Sequence, residues 1–166
     1  YNFLRNYSML LRNAKILFNK PVSVELYHMG LVCPDIAAKI QPGQFLMVRI
    51  QDRLDPLLRR PFVVHRLYPN DPPGSFEMLH KVVGRGTQLL TKMQGGDSVN
   101  LLGPLGRGFR LPEERGSVLM VAGGIGIAPL PYLAETIAAS GCKGPFVLWF
   151  GGKTSADLVC VQHFND

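Results

Sequence analysis

Three groups of residues in this chain have the types and spacing needed to hold phosphate and to line an aromatic ligand. The first is Leu57-Leu58-Arg59-Arg60-Pro61-Phe62-Val63-Val64-His65-Arg66. Pro61 fixes its own φ and biases Arg60 toward an extended backbone, so the guanidinium can present its fork to a phosphate. Phe62 then offers an aromatic face. The same residues also fit a plainer arrangement: an edge-strand proline, a solvated arginine pair and a core phenylalanine. The second group is Val83-Gly84-Arg85-Gly86-Thr87, placed directly before a short helical stretch. Gly84 and Gly86 remove side chains that would block approach, and the first-turn N–H groups face outward with the positive end of the helix dipole behind them. A Gly-rich turn with a threonine N-cap is common by itself. Beside Arg60 it gains weight, because a diphosphate wants both an amide cradle and a guanidinium.

The third group is Val121-Ala122-Gly123-Gly124-Ile125-Gly126-Ile127-Ala128-Pro129-Leu130. It follows an apolar run and precedes a helical pattern, a context in which a dinucleotide diphosphate can lie on the helix N-terminus while Gly124 and Gly126 let the backbone approach. Its form is GxGxxP, not GxGxxG. An ordinary dinucleotide fold also puts an acidic residue roughly 20 positions on, at the end of the next strand. Here Phe150 is followed by Gly151-Gly152-Lys153-Thr154, which disfavours an ordinary dehydrogenase. Nor is this a P-loop, since GxxxxGK[ST] would need glycine at Val147. Lys153 fits either a 2′-phosphate contact or a solvated lysine, so NADH and NADPH both stay open.

The elements that must position these groups fall into two styles. Residues 14 to 110 read as short strands: Val22, Val24 and Leu26 alternate with polar neighbours, and Phe45 to Ile50 follows the turn Pro42-Gly43-Gln44. Further strands are expected at Phe62 to Leu67, Phe76 to Val83 and Val99 to Leu102, with a short helix from Thr87, its N-cap, to Met93. Frequent strands without long helices between them predict an antiparallel barrel or sandwich. After the polar stretch Leu111 to Gly116, two buried strands, Ser117 to Val121 and Phe146 to Phe150, flank a helix ending near Ser140-Gly141. Thr154-x-x-Asp157 resembles a capping box opening another helix. The expected division is therefore an antiparallel barrel over 1–112 and an α/β part over 117–166. A doubly wound sheet needs about five strands and this part supplies two, so the second domain is expected to be incomplete and the sequence a fragment, with an unpaired strand edge and an uncovered apolar face.

Composition supports a folded chain. Of 166 residues, 46% are hydrophobic and 18% charged, and the 18 glycines and 13 prolines, about one residue in five, provide the turns. The net charge of +6 is spread out. Its densest group, Arg53, Arg59, Arg60 and Arg66, is interrupted by acidic and apolar residues, so no nucleic-acid tract is expected. Cys33, Cys142 and Cys160 are read as separate buried thiols outside any CxxC or CxxH spacing, and no metal site is assigned. The charge-free run Gly116 to Ala134 contains four glycines and two prolines, unlike a membrane span. With no apolar signal segment behind Arg5, Arg12, Lys15 and Lys20, a cytoplasmic location without membrane contact is expected.

Taken in order, RRPF, VVGRGT, GDSVNLLGPLGRGF and VLMVAGGIGIAPL resemble the ferredoxin-reductase-type flavoproteins over about residues 12 to 160. Pro42-Gly43-Gln44-Phe45, Leu58-Arg59-Arg60-Pro61 and Gly103 to Phe109 are most similar to the electron-transfer subunits of NAD-dependent dihydroorotate dehydrogenases. The resemblance implies a Greek-key FAD-binding barrel followed by a truncated, Rossmann-like NAD(P)-binding α/β domain. It implies that Arg60 contacts the FAD diphosphate, that Pro61, Phe62 and Val63 run along the flavin and ribityl chain, and that Leu79, His80 and Lys81 line the same groove. Gly84 belongs to the diphosphate turn, and Gly86 and Thr87 would supply amides and a hydroxyl to it. Gly124 and Gly126 would admit the NAD(H) diphosphate, with the Gly103 to Phe109 loop between the domains. NADH would deliver hydride to FAD, and electrons would leave singly through an iron–sulfur centre to an FMN-containing dihydroorotate dehydrogenase subunit in a hetero-oligomer, in either direction. No side chain need act as acid or base, so no catalytic residue is assigned. Two departures stand out: Val63 replaces a customary Ser or Thr that can hydrogen-bond the flavin, and the family's four-cysteine [2Fe–2S] site is expected only in a missing C-terminal part. The competing expectations are the flavin module of another complex, such as a hydrogenase or sulfide-linked oxidoreductase, and a non-enzymatic binding domain whose glycine loops are only turns.

Overall fold

The computed structural model describes residues 9–50, 55–70, 72–112 and 116–164, which leaves Arg5, Arg53 and the 113–115 part of the polar stretch outside the described residues. The first half is built from seven strands and two short helices: β1 (Leu10–Pro21), β2 (Leu26–Val32), α1 (Pro34–Ala37), β3 (Phe45–Arg49), β4 (Arg60–Val63), β5 (Arg66–Asn70), β6 (Pro73–Lys81), α2 (Arg85–Leu90) and β7 (Ser98–Leu105). They form one antiparallel sheet in the order β4-β3-β7-β1-β2-β6-β5. β4 and β5 are neighbours in sequence yet lie at opposite ends of the sheet, which curls until β4 comes beside β6. Period-2 alternation explains the curl's interior: Ala14, Ile16, Leu46, Val48, Val99 and Leu101 point inward and are buried.

β6 departs from alternation, with every residue from Ser75 to His80 buried. Phe76 and Met78 enter the barrel core, whereas Leu79 belongs to a second apolar cluster with Met120, Ile127, Ala128 and Leu133. The strand is covered on both faces because the second half of the chain packs on its outside. That half contains β8 (Val118–Gly123), α3 (Leu130–Ala139) and β9 (Phe146–Gly151), with β8 and β9 parallel. Helix α3 is tied to the barrel at three points. The Tyr132 phenol donates to the Ile40 carbonyl at 2.9 Å, Arg66 Nε meets Glu135 at 2.6 Å, and the Tyr132 amide donates to the His65 carbonyl at 2.9 Å.

Several sequence expectations change. The alternation at Val22, Val24 and Leu26 does not make a strand, because Pro21 ends β1 and the Val22 amide donates across the bend to the Leu26 carbonyl at 2.8 Å; Val24 is 98% exposed. Phe62 to Leu67 is not continuous either. At His65 the amide donates to Glu77 and the carbonyl accepts from Tyr132, so Val64 and His65 turn the chain from one edge of the sheet to the other. Helix α2 begins two residues before the expected Thr87, with Gly84 as its N-cap. The two strands of the α/β half, each read as a buried run but together expected to leave an uncovered apolar face, are covered on one face only: Met120 is buried in the cluster with α3, while Leu119, Val121, Val147 and Trp149 face outward. The Thr154–Asp157 capping box forms, with Asp157 accepting from the Thr154 amide at 2.9 Å, but the chain leaves helical geometry at Leu158 and only a 3₁₀ turn results. A second 3₁₀ turn covers Val161–Phe164. No helix among the described residues is long and apolar enough to cross a membrane.

Because Tyr132 is buried and its phenol is the partner of a barrel carbonyl, Tyr132→Phe is expected to lower unfolding stability by about 1–2 kcal/mol. Urea unfolding followed by circular dichroism checks this. An unchanged midpoint would mean that α3 does not dock through this bond.

Candidate functional site

A groove of about 560 Å³ runs along the seam between the two halves. Its barrel wall is Arg60, Pro61, Phe62 and Val63 from β4, facing Leu79, His80 and Lys81 from β6. Thr87 lies at one end, and Ile125, Gly126, Ala128 and Pro129 form the opposite wall. The structure thus gathers most of the residues singled out in the sequence, drawn from all three groups, and adds Ile125, Ala128 and Pro129. Cationic Arg60 and Lys81 border an apolar middle, an arrangement suited to a ligand with an anionic part and a flat ring.

Arg60 and the glycine turn are in direct contact. A Cβ at Gly86 would lie 2.6 Å from Arg60 Nε, so the guanidinium crosses the turn at a distance that only glycine allows. Arg60 also donates to the Leu58 carbonyl, which aims the fork along the turn. Arg59 points elsewhere and donates to the Met47 and Asn100 carbonyls at 3.2 and 3.1 Å, stapling β3 to β7. The adjacent arginines therefore divide, one structural and one at the groove.

Thr87 is not free to give its hydroxyl proton to a phosphate, as the resemblance implied. Its Oγ1 accepts from the Val83 and Gly84 amides at 2.9 and 3.1 Å and donates to the Gly84 carbonyl at 2.9 Å. It shapes the turn, and the amides at the start of α2 remain the donors aimed outward. Gly84 is fully engaged in this arrangement and lies outside the groove lining. Gly126 lines the groove, whereas Gly124, at φ +49°, opens onto an adjoining cleft of about 370 Å³ with Gly151, Gly152, Lys153 and Asp157. A Cβ at Gly124 or Gly126 would meet open space, so the backbone there is accessible to a ligand. The loop enters α3 through a 3₁₀ turn over Gly124–Ile127. The Gly103 to Phe109 loop, expected between the domains, packs on the barrel instead: Gln44 Nε2 donates to the Gly106 carbonyl at 3.1 Å, and the Phe109 ring covers Gly43, whose φ of +85° requires glycine.

His80 is 1% exposed, stacks on Tyr27 and meets Phe62 edge-on. Asn19 gives both amide hydrogens to the Leu90 and Met93 carbonyls, so its Oδ1 faces His80 Nε2 at 3.3 Å and that nitrogen carries the ring proton. His80 Nδ1 is left as a buried acceptor without a partner. Burial pushes the His80 pKa down to about 4, which keeps the ring neutral.

Two expectations for the cysteines change. Cys142 is only half-buried, donating to the Gly116 carbonyl, while Cys33 and Cys160 are buried. Cys160-x-x-His163 is itself a CxxH spacing that sequence reasoning missed, and the fold brings both residues to His65, with the three ligand atoms within 4.8 Å of one another. Burial raises the Cys160 thiol to about 11.

A curled antiparallel sheet with an Arg-Pro strand and a glycine turn, followed by a parallel β-α-β unit carrying a glycine loop, defines a flavin-reductase type of architecture. The oxidoreductase FAD-binding domain family matches residues 15–109, more than half of the chain, and the chain belongs to that family. The electron-transfer subunit of dihydroorotate dehydrogenase B (NAD(+)) from Desulforamulus reducens is 40% identical over 152 residues, covering 92% of this chain and 56% of the relative. The chain thus spans a little over half the length of that relative. Among solved structures, an NADH-dependent reduced ferredoxin–NADP oxidoreductase is similar with a TM-score of 0.78 and 28% identity, over 91% of this chain and 52% of that one. The ferredoxin reductase of carbazole 1,9a-dioxygenase shares the fold at a TM-score of 0.79, with 24% identity over 98% of this chain and 49% of that one.

The depressed His80 pKa makes stability depend on pH. The unfolded chain takes up a proton near 6.5 that the folded chain refuses until about 4, so stability is full above pH 6.5 and falls between 6.5 and 4 by up to about 3 kcal/mol. His80→Gln is expected to remove about one proton from that slope, read as urea midpoints across the pH range. An unaltered slope would show that His80 titrates normally.

Proposed function

We propose that this chain holds FAD in the seam groove and carries electrons between NAD(H) and an iron–sulfur centre of an oxidoreductase complex, as the flavin module of an NAD-dependent dihydroorotate dehydrogenase. The observation that carries the reading is the Arg60 guanidinium lying across Gly86 at the groove's edge, a cation and an amide turn placed for one diphosphate. The relatives' names supply the substrate class and imply a catalytic partner subunit.

Each group of residues contributes a distinct physical effect. Arg60 and the first-turn amides of α2 neutralise and orient the diphosphate. Phe62, Val63, Leu79 and the Ala128-Pro129 wall give the ring an apolar slot and exclude water from it. His80 lines the groove as a neutral ring held by its stack on Tyr27 and by Asn19. Gly124 and Gly126 leave room for the NAD(H) diphosphate, and Lys153 borders the cleft where its ribose would rest. Bound FAD supplies hydride acceptance and one-electron release, so no protein side chain has to move a proton in the transfer. Val63 offers no hydroxyl to the flavin, leaving a backbone amide as the donor at that position.

The test is FAD content after reconstitution, measured by acid release from the purified chain. About one FAD per chain is expected. Arg60→Ala is expected to weaken retention by at least about tenfold, and Gly86→Ala to do the same by displacing the guanidinium. Val63→Ser should leave FAD content unchanged. A chain that is folded by circular dichroism and yet holds no FAD would overturn the reading, and failure to form a complex with the catalytic dihydroorotate dehydrogenase subunit would overturn its choice of partner.

A further inference from the structure

The flavin reading leaves unused a cluster of polar atoms at the joint between the two halves. His65 is completely buried, and its Nδ1 lies 2.8 Å from the Ala128 carbonyl. A carbonyl only accepts, so Nδ1 carries the ring proton and Nε2 holds a lone pair, which has no hydrogen-bond partner. Folded proteins rarely leave a buried ring nitrogen in that state. Cys160 Sγ and a ring nitrogen of His163 complete a set of three ligand atoms mutually within 4.8 Å. His65 comes from the corner between β4 and β5, and the other two come from the segment after β9.

We propose that His65, Cys160 and His163 bind one divalent transition-metal ion of the zinc class, clipping the segment after β9 onto the barrel. Two imidazoles and a thiolate are a borderline-soft donor set that suits zinc and disfavours calcium or magnesium. Zinc bond lengths of about 2.0–2.3 Å place tetrahedral donors about 3.3–3.7 Å apart, so the three side chains need close inward by at most about 1 Å on binding. The Nδ1–H bond to a backbone carbonyl is the outer-shell contact that fixes a ligand histidine's tautomer. Arg66 Nη1 faces His163 Nδ1 at 3.1 Å, and Arg66 has Glu135 as a second partner at 2.6 Å, so it stays anchored if the ion takes that nitrogen. The Cys160 S–H bond breaks, its proton goes to solvent and an S–metal bond forms, with no change of oxidation state. Glu77, 2.9 Å from His28 and with a carboxylate oxygen within 4.8 Å of His65's ring nitrogen, offsets the remaining positive charge. A second set, His28, His65 and Glu77, lies beside it, but its His28 Nε2 and Glu77 carboxylate are already 2.9 Å apart and it lacks the thiolate.

None of these three residues lines the groove, so metal binding is read separately from flavin content. The whole chain, stripped with a chelator, is titrated with Co²⁺ alone, recorded as difference spectra at constant flavin content, and then with Zn²⁺. Expected are one ion per chain, a thiolate-to-Co²⁺ charge-transfer band, displacement of Co²⁺ by Zn²⁺, and a thermal midpoint raised by Zn²⁺. Cys160→Ser should abolish the band and weaken Zn²⁺ binding at least about tenfold, whereas a Cys33→Ser, Cys142→Ser chain should keep both. His163→Gln, at a half-buried position, gives an independent loss of affinity if Cys160→Ser does not fold. The absence of stoichiometric binding, a band that survives Cys160→Ser, a band lost with Cys33 and Cys142, or unchanged affinity in His163→Gln would overturn the assignment.

Discussion

The arrangement of this molecule turns on one residue's three bonds. At His65 the amide donates to Glu77 of β6, the carbonyl caps the Tyr132 amide of α3, and the ring donates to Ala128 in the glycine loop. The first bond sets where β5 joins the sheet, the second fixes where the helix starts, and the third sets how far the loop stands from β4. Tyr132 lies in the first turn of α3, whose amides have no acceptor within the helix, so its N–H meets a carbonyl from outside. Remote parts of the chain therefore converge through hydrogen bonds whose loss would leave buried polar groups without partners.

That convergence explains why the groove lies in the seam. A barrel strand with alternating burial has one wet face, but β6 is wanted on both, and its outward residue Leu79 enters the apolar cluster of the second half. The groove-lining side chains Phe62, Val63 and His80 are consequently held between two packed units. Arg60 and Lys81 stay at the rim, where their charges keep contact with water; burying either would cost far more than a neutral group.

The sequence was legible where chemistry is local. The Arg60-Pro61 step, the glycine turn before α2 and the glycine loop before α3 each carry their meaning within about ten residues, and the structure sets residues from all three on one groove. Start points were less legible: the α2 boundary shifted because Thr87 folds back on Gly84 instead of capping from outside. The Val22–Leu26 alternation misled because period-2 patterning does not reveal a hairpin closed by Pro21. The apolar runs at β8 and β9 do not show which face a helix will cover. Least legible was the meeting of His65 with Cys160 and His163, since CxxH by itself is only half a site and its missing histidine is supplied by a distant corner.

His80 and His65, two of the three histidines with a buried unpartnered nitrogen among the described residues, divide the roles of the joint. His80 lines the groove from β6, whereas His65, two residues beyond Val63, is not part of the lining. Ala128 connects them: its carbonyl is held by His65, and its side of the loop lines the groove opposite β4 and β6. A cation on His65 Nε2 withdraws electron density from the ring and makes Nδ1–H a stronger donor to that carbonyl. An ion at the clip would thus tighten the wall of the ligand groove without touching the ligand, because a single imidazole links the two.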